Sequence, residues 1–174
     1  MRNNITNNKQ FTFIDLFAGA GGFAEGFYQA DYKALSHVEF DKYACDTLKE
    51  RMKFYDYPKD EIENGVLHKD ITDKDIIEKI DLTVKDNSVD VIIGGPPCQS
   101  FSSQGKARDP NGMKCDSRNY LYESYIKILN HYKPKFFVFE NVRGILSTKL
   151  NGKSIIDTIF KDMKKNYNIL EDKN

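Results

Sequence analysis

Cys98 stands at the end of Gly94-Gly95-Pro96-Pro97, directly after the apolar run Ser88-Val89-Asp90-Val91-Ile92-Ile93, and Glu140-Asn141 closes a second such run, Phe136-Phe137-Val138-Phe139. A cysteine attacks through its thiolate, and a carboxyl in a desolvated pocket can share a proton with a bound ring. Side by side, the two suit covalent chemistry on one small ring. Taken singly, each motif has a plainer reading: a tight turn with an apolar cysteine packed beneath it, and a strand-end Glu that caps the next segment.

The elements that position these residues are legible. Residues 88–93 read as a buried strand, whose two prolines stiffen the approach to Cys98 while the two glycines leave room for another molecule. Residues 11–17 form a first strand, ending in Ala18-Gly19-Ala20-Gly21-Gly22 before a helix over 23–30. Strand, glycine turn and helix start are the first unit of a nucleotide-binding sheet. A second strand over 33–40 carries Glu39 about 20 residues beyond the turn, where an acid accepts hydrogen bonds from ribose hydroxyls; taken alone, the segment also reads as a strand-helix turn with an incidental surface Glu.

Residues 42–52 are helical, with Ala44, Cys45, Leu48 and Met52 as a core stripe, so Cys45 is a packing residue. Residues 54–64 read as a surface connection and 65–69 as a third strand. Asp70 and Ile71 then have two open readings: an acid and an apolar cover for an adenine, or an N-cap, by Asp70 or Thr72, for a helix over 73–80. A long polar segment, 101–119, reads as a lid or as a solvated loop, with Cys115 incidental. A helix over 120–133 with Leu121, Tyr125, Ile128 and Leu129 on one face leads to the fifth strand, 134–139. A last helix spans 152–165, and Tyr167-Asn168-Ile169-Leu170 opens a sixth strand. Such alternation makes a parallel sheet, whose ligand edge lies at the carboxyl ends of its strands. If the fourth and fifth strands are neighbours, about 4.8 Å separates their axes.

The 174 residues suit one domain, with 26 basic residues against 26 acidic. No global basic field exists, so any nucleic-acid contact must be local or come from another chain. Three cysteines without Cys-x-x-Cys spacing argue against a disulfide framework and a zinc site, and for a reducing, cytoplasmic setting. His37, His68 and His131 are scattered, and His37 reads as a strand residue. No apolar run approaches a membrane span of ~20 residues, and residues 1–10 read as a flexible tail without a signal-peptide core.

Taken together, Phe13-Ile14-Asp15-Leu16-Phe17-Ala18-Gly19-Ala20-Gly21-Gly22-Phe23, Gly95-Pro96-Pro97-Cys98-Gln99-Ser100-Phe101-Ser102 and Glu140-Asn141-Val142 resemble the DNA (cytosine-5)-methyltransferases, in the family's order and spacing. The resemblance implies an α/β, Rossmann-like methyltransferase fold, with a mostly parallel sheet, helices on both faces, and an end before the last strands. It implies S-adenosylmethionine as cofactor and double-stranded DNA as substrate, in bacteria or phage. Phe17 would lie beside the adenine or methionine portion; Ala18, Gly19, Gly21 and Gly22 around the methionine; Glu39 on the ribose; Phe40 on the adenine face; Asp70 and Ile71 at the adenine. Gly95, Pro97 and Leu121 would line the same pocket. Cys98 would be the nucleophile, Glu140 would hold N3 and the exocyclic amine of a flipped cytosine, and Asn141 would orient Glu140 or the loop. Gln99 would begin the closing loop, and Ser102 would bind the target's phosphate.

The family pattern continues with a Gln-x-Arg-x-Arg strand, a target-recognition domain and a closing helix, none of which this sequence contains. The expectation is therefore a partial catalytic domain over 11–174, a truncated product or one subunit of a split enzyme, which binds cofactor weakly and does not methylate DNA site-specifically without a second polypeptide. A tRNA cytosine-5 methyltransferase, a non-catalytic S-adenosylmethionine-binding subunit and a nicotinamide enzyme are the competing readings.

Overall fold

In a computed structural model of the chain, residues 10–97, 121–147, 149–150 and 152–168 are described. Strands β1 (Thr12–Leu16), β2 (Lys33–Glu39), β3 (Val66–His68), β4 (Val91–Gly94) and β5 (Phe136–Phe139) form one sheet in the order β3-β2-β1-β4-β5. Every pairing in it is parallel. The chain moves outward from β1 to β3, then returns to the other side of β1 for β4 and β5. The switch point therefore falls between β1 and β4, which is where open α/β sheets take their ligands.

Alternation along the strands assigns the two faces. Phe13, Ala34, Val91 and Ile93 pack with Ala24 of α1 (Gly22–Gln29), with Cys45, Leu48 and Met52 of α2 (Lys42–Phe54), and with Ile62 of α3 (Lys59–Asn64). Ile14, Leu16, Leu35 and Ile92 pack on the other face. There they meet Ile76, Ile80 and Val84 of α4 (Ile76–Val84), Tyr125, Ile128 and Leu129 of α5 (Leu121–Tyr132), and Ile155, Ile159 and Met163 of α6 (Ile155–Met163). Tyr125 is fully buried; its hydroxyl donates to the carbonyls of Ile92 (3.3 Å) and Val138 (3.1 Å), so it couples α5 to both β4 and β5. Burial pushes its phenol well above the usual range. At the opposite end of the strands the buried Asp90 accepts from Thr12 N (3.0 Å) and pairs with Lys135 (2.7 Å), joining the starts of β1, β4 and β5.

Several expected boundaries are corrected. The stretch read as a surface connection contains α3, a charged helix held by one buried anchor, Ile62. The helix expected over 73–80 is α4, three residues later. Asp70 Oδ1 accepts from Thr72 N (2.8 Å) and Thr72 Oγ1 (2.7 Å), closing a turn of its own, so neither Asp70 nor Thr72 caps α4. The helix expected over 152–165 is α6. Gly152, at φ +78°, cannot continue a helix and instead turns a two-stranded hairpin, β6 (Lys149–Leu150) with β7 (Lys153–Ser154); a 3-10 helix, Arg143–Ser147, precedes it. The fourth and fifth strands start two to three residues late. Tyr167 and Asn168 lie outside any strand, with Tyr167 packed on Phe137; Ile169 and Leu170, the rest of the expected sixth strand, lie outside the described residues, as do 1–9 of the expected tail.

Lys85, which ends α4, is held at φ +53°, ψ −133°, a conformation that suits glycine. Such strain costs about 1–3 kcal/mol, partly offset in a glycine variant by about 0.5–1 kcal/mol of added chain entropy. Lys85→Gly is therefore expected to stabilise the protein by about 1 kcal/mol, raising Tm by about 2–4 °C in thermal unfolding.

Candidate active site

All five strands deliver expected residues to one edge. Phe17 to Gly22 follow β1, Glu39 and Phe40 end β2, Gly95 and Pro97 follow β4, and Glu140 and Asn141 follow β5. Asp70 and Ile71 lie just beyond β3. The registers Leu16↔Val38, Leu16↔Gly94 and Gly94↔Phe139 keep the three central carboxyl ends and β5 level.

The glycine turn leaves the sheet abruptly. Phe17 is left-handed at φ +59°, an outlier for a bulky residue, and Ala18 N donates to Val38 O (3.1 Å) to hold the bend. Gly21, at φ +87°, is the N-cap of α1; a Cβ there would lie 2.5 Å from Leu48 Cδ1. No side chain caps this helix start, so its backbone N–H groups remain available to an anionic ligand group.

Glu39 does more than the sequence reading assigns it. Oε2 accepts from Gly19 N (2.7 Å) and Oε1 from Asp41 N (2.7 Å), so the carboxylate ties the glycine turn to the entry of α2. Each oxygen retains a lone pair for a ligand hydroxyl. Asp41, which the sequence reading passed over, caps α2 by accepting from Ala44 N (2.8 Å). Its signal was there: an Asp directly before the apolar stripe of a helix. Beside it Phe40 is 70 % exposed, an open apolar face at the rim. Cys45 lies beneath, its thiol 3.6 Å from the Glu39 carbonyl, and burial first, then the Glu39 charge, pushes it up to about 11. It is unreactive at neutral pH, as its place in the core stripe implied.

On the other side of the edge, Glu140 N donates to Gly94 O (3.0 Å) and the Glu140 side chain folds over the adjacent glycine. A Cβ built on Gly95 would lie 2.7 Å from Glu140 Oε2. Asn141 Nδ2 donates to Pro96 O (3.1 Å), and Asn141 Oδ1 accepts from Val142 N (2.9 Å). The carboxyl is therefore packed against the segment that leads to Cys98, and the neighbouring amide grips that segment two residues before the thiol. Pro96 is buried, and the grip of Asn141 on its carbonyl is what sequence reading missed; nothing in a Pro-Pro pair says which carbonyl will be held. Leu121 opens α5 and packs against the core of that face. Cys98, Gln99, Ser102, Cys115 and the expected lid lie outside the described residues.

The model for C-5 cytosine-specific DNA methylases matches residues 11–169. Type II methyltransferase M.Bpa9945I of Bacillus paralicheniformis is 33% identical, over 88% of this chain and 44% of that protein. Type II methyltransferase M.DdeI of Desulfomicrobium norvegicum is 39% identical, over 86% of this chain and 32% of its own. Among solved structures, a prophage-encoded DNA modification methyltransferase from E. coli superposes with a TM-score of 0.68 at 30% identity, covering 93% of this chain and 40% of that one. DNMT2 of Spodoptera frugiperda shares the fold at a TM-score of 0.57 and 21% identity. This chain thus spans about a third to under half of the length of these relatives.

Proposed function

Because the chain belongs to the C-5 cytosine-specific DNA methylase family, we propose that it forms the cofactor-binding and catalytic face of an enzyme that methylates C5 of cytosine in duplex DNA. The observation that carries this reading is the contact of Glu140 with Gly95, three residues before Cys98, with Asn141 holding Pro96 between them. It supports a thiol and a carboxyl serving one base.

The residues present fit S-adenosylmethionine: a left-handed glycine turn, an uncapped helix start, a carboxylate with spare lone pairs and an exposed aromatic face. When bound, the cofactor supplies an electrophilic methyl group. Cytosine C5 is too electron-poor to take it unaided. Addition of the Cys98 thiolate forms an S–C6 bond and sends the C5–C6 π electrons to C5. Glu140, accepting from the exocyclic amine and sharing its proton with N3, offsets the charge that builds in the ring. After transfer the C5 proton leaves to solvent, the S–C6 electrons return to the thiolate, and Glu140 recovers its proton as aromaticity is restored. A duplex must release the base for this, and a flipped base brings its own apolar surface to the exposed Glu140. Readout of sequence is assigned to the portion that the relatives carry outside the matched region, in the same chain or in a second polypeptide. The relatives' Type II designation suggests a restriction-modification setting.

Two measurements test this. S-adenosylhomocysteine should bind in calorimetry with 1:1 stoichiometry, and labelled methyl groups should enter duplex DNA in preference to tRNA once the chain is reconstituted with the remaining portion of a relative. Absence of cofactor binding would sink the proposal; preferential labelling of tRNA would move it to a tRNA cytosine-5 methyltransferase.

A further inference from the structure

A chain with 26 cations and 26 anions has to meet a polyanion through some local excess of charge. Between residues 141 and 156 the sequence holds three cations, Arg143, Lys149 and Lys153, and no acid. All three are exposed, and none has an ion pair among the described residues, whereas Lys42, Lys79 and Lys135 are matched to Asp46, Asp75 and Asp90.

The described residues of this stretch are anchored at both ends. It leaves the ligand edge directly after Glu140, is pinned by the buried Ile145 and Ile155 on either side, and is closed by Ser154 Oγ accepting from Asp157 N (3.3 Å). In a 3-10 helix residues three apart eclipse one another, so with Ile145 turned into the core, Arg143 and Leu146 share an outward side. Leu146 is accordingly 60 % exposed. The hairpin pairs Lys149 with Ser154 and Leu150 with Lys153, which sends its two lysines to alternate faces. Arg143, three residues from Glu140, lies within about 11 Å of it along the chain.

Resting on the function proposed above, we propose that the Arg143–Ser147 helix and the β6–β7 hairpin form a duplex-DNA phosphate-binding surface on the Glu140 side of the active site, with Arg143 and one of the two oppositely directed hairpin lysines, Lys149 or Lys153, as its contacts. A nucleotide whose base is held at Glu140 keeps its flanking phosphates at the rim of that same edge, next to a stretch, residues 141–156, that itself carries cations and no carboxylate.

The test is the salt dependence of binding of the 174-residue chain to a fluorescent duplex, between about 20 and 200 mM KCl. Replacing all three cations by Gln should lower the slope of log K against log [KCl] by about 2, and affinity at 100 mM by about 10-fold or more, since each of two phosphate contacts contributes about 0.9 to the slope. A control triple, Lys53→Gln, Lys59→Gln and Lys74→Gln, carries the same charge change on other elements and should leave the slope within about 1 of wild type. Equal losses in both triples, an unchanged slope in the first, or no duplex binding by the wild type at low salt overturns the surface. Tighter binding of tRNA through the same three residues overturns its assignment to DNA. Calorimetric binding of S-adenosylhomocysteine in the same samples reports folding. If the wild type fails it, the enzymatic reading fails; if cofactor binds and duplex binding ignores the three residues, only the surface fails.

Discussion

A Gly95→Ala variant should keep its melting temperature or gain a few degrees, and form the covalent adduct with 5-fluorocytosine DNA about 100-fold more slowly. The added methyl would sit 2.7 Å from Glu140 Oε2, and the atom that must give way is the far end of a rotatable side chain. Relief costs little stability, and loss of glycine's chain entropy in the unfolded state adds about 0.4–1 kcal/mol. It does, however, displace the carboxyl from the place where it meets the base. A misplacement on the order of 1 Å costs about 10²-fold, within the 10²- to 10⁴-fold that a positioned acid-base group contributes. Glu140→Gln should fall by the same order, and the double variant should be little worse than either single, because both remove one contribution. Wild-type adduct rates in Gly95→Ala, or losses that multiply in the double variant, would count against Glu140 as the base-holding group. Gly94 supplies the contrast. A Cβ there meets Leu16 O at 2.6 Å and the Tyr125 ring at 3.1 Å, neither of which can rotate away. Gly94→Ala should therefore unfold more easily, by about 1–3 kcal/mol, a cost the next residue avoids.

The contrast between those two glycines also marks what a sequence can carry. That five apolar runs would make a parallel sheet, and that Glu39 and Glu140 would end two of its strands, follows from periodicity and from residues that stand directly at strand ends. Which glycine is packed against backbone and which against a carboxyl is a tertiary fact. The same limit hid the second role of Glu39: Gly19 lies 20 residues away, and only the pairing of β1 with β2 brings its N–H to the carboxylate. Short elements were missed for a different reason. Helix α3 has a single buried anchor in a run of charges, and the β6–β7 hairpin has two residues to a side, too few for any period to show. The start of α4 was misplaced because Asp70, Thr72, Asp73 and Asp75 are all competent caps, and the choice fell to the turn that the Asp70 side chain closes.

Buried polarity was the least legible feature. Asp15 and His37 are register partners on β1 and β2, both fully enclosed, with Oδ2 and Nδ1 3.6 Å apart and burial raising the Asp15 carboxyl. At alternating strand positions the pattern asks for apolar residues there. The pair lies two residues below Phe17 and Glu39, so a polar contact in the core underlies the edge where the cofactor is proposed to bind.

Cys98→Ala should abolish the adduct with 5-fluorocytosine DNA altogether while changing the affinity for S-adenosylhomocysteine less than about twofold. The first half follows from the chemistry: without the sulfur of residue 98 that residue can form no S–C6 bond. Cys45, the cysteine among the described residues, is pushed up to about 11 by burial first and then by the Glu39 charge. At neutral pH it is the protonated thiol, and it lies in the core on the α2 side. The second half follows from geometry. The groups proposed to face the cofactor, Phe17, Gly21 and Glu39, follow β1, cap α1 and end β2, and this region is tied together by Glu39 and by Ala18 N rather than through β4. Mass spectrometry of the trapped complex, with Cys115→Ala alongside, reads the result. An adduct that persists in Cys98→Ala but disappears in Cys115→Ala would transfer the nucleophile to the latter residue. One that persists in both would remove thiol addition from the mechanism, and with it the reason for a carboxyl to be packed against the glycine that leads to Cys98.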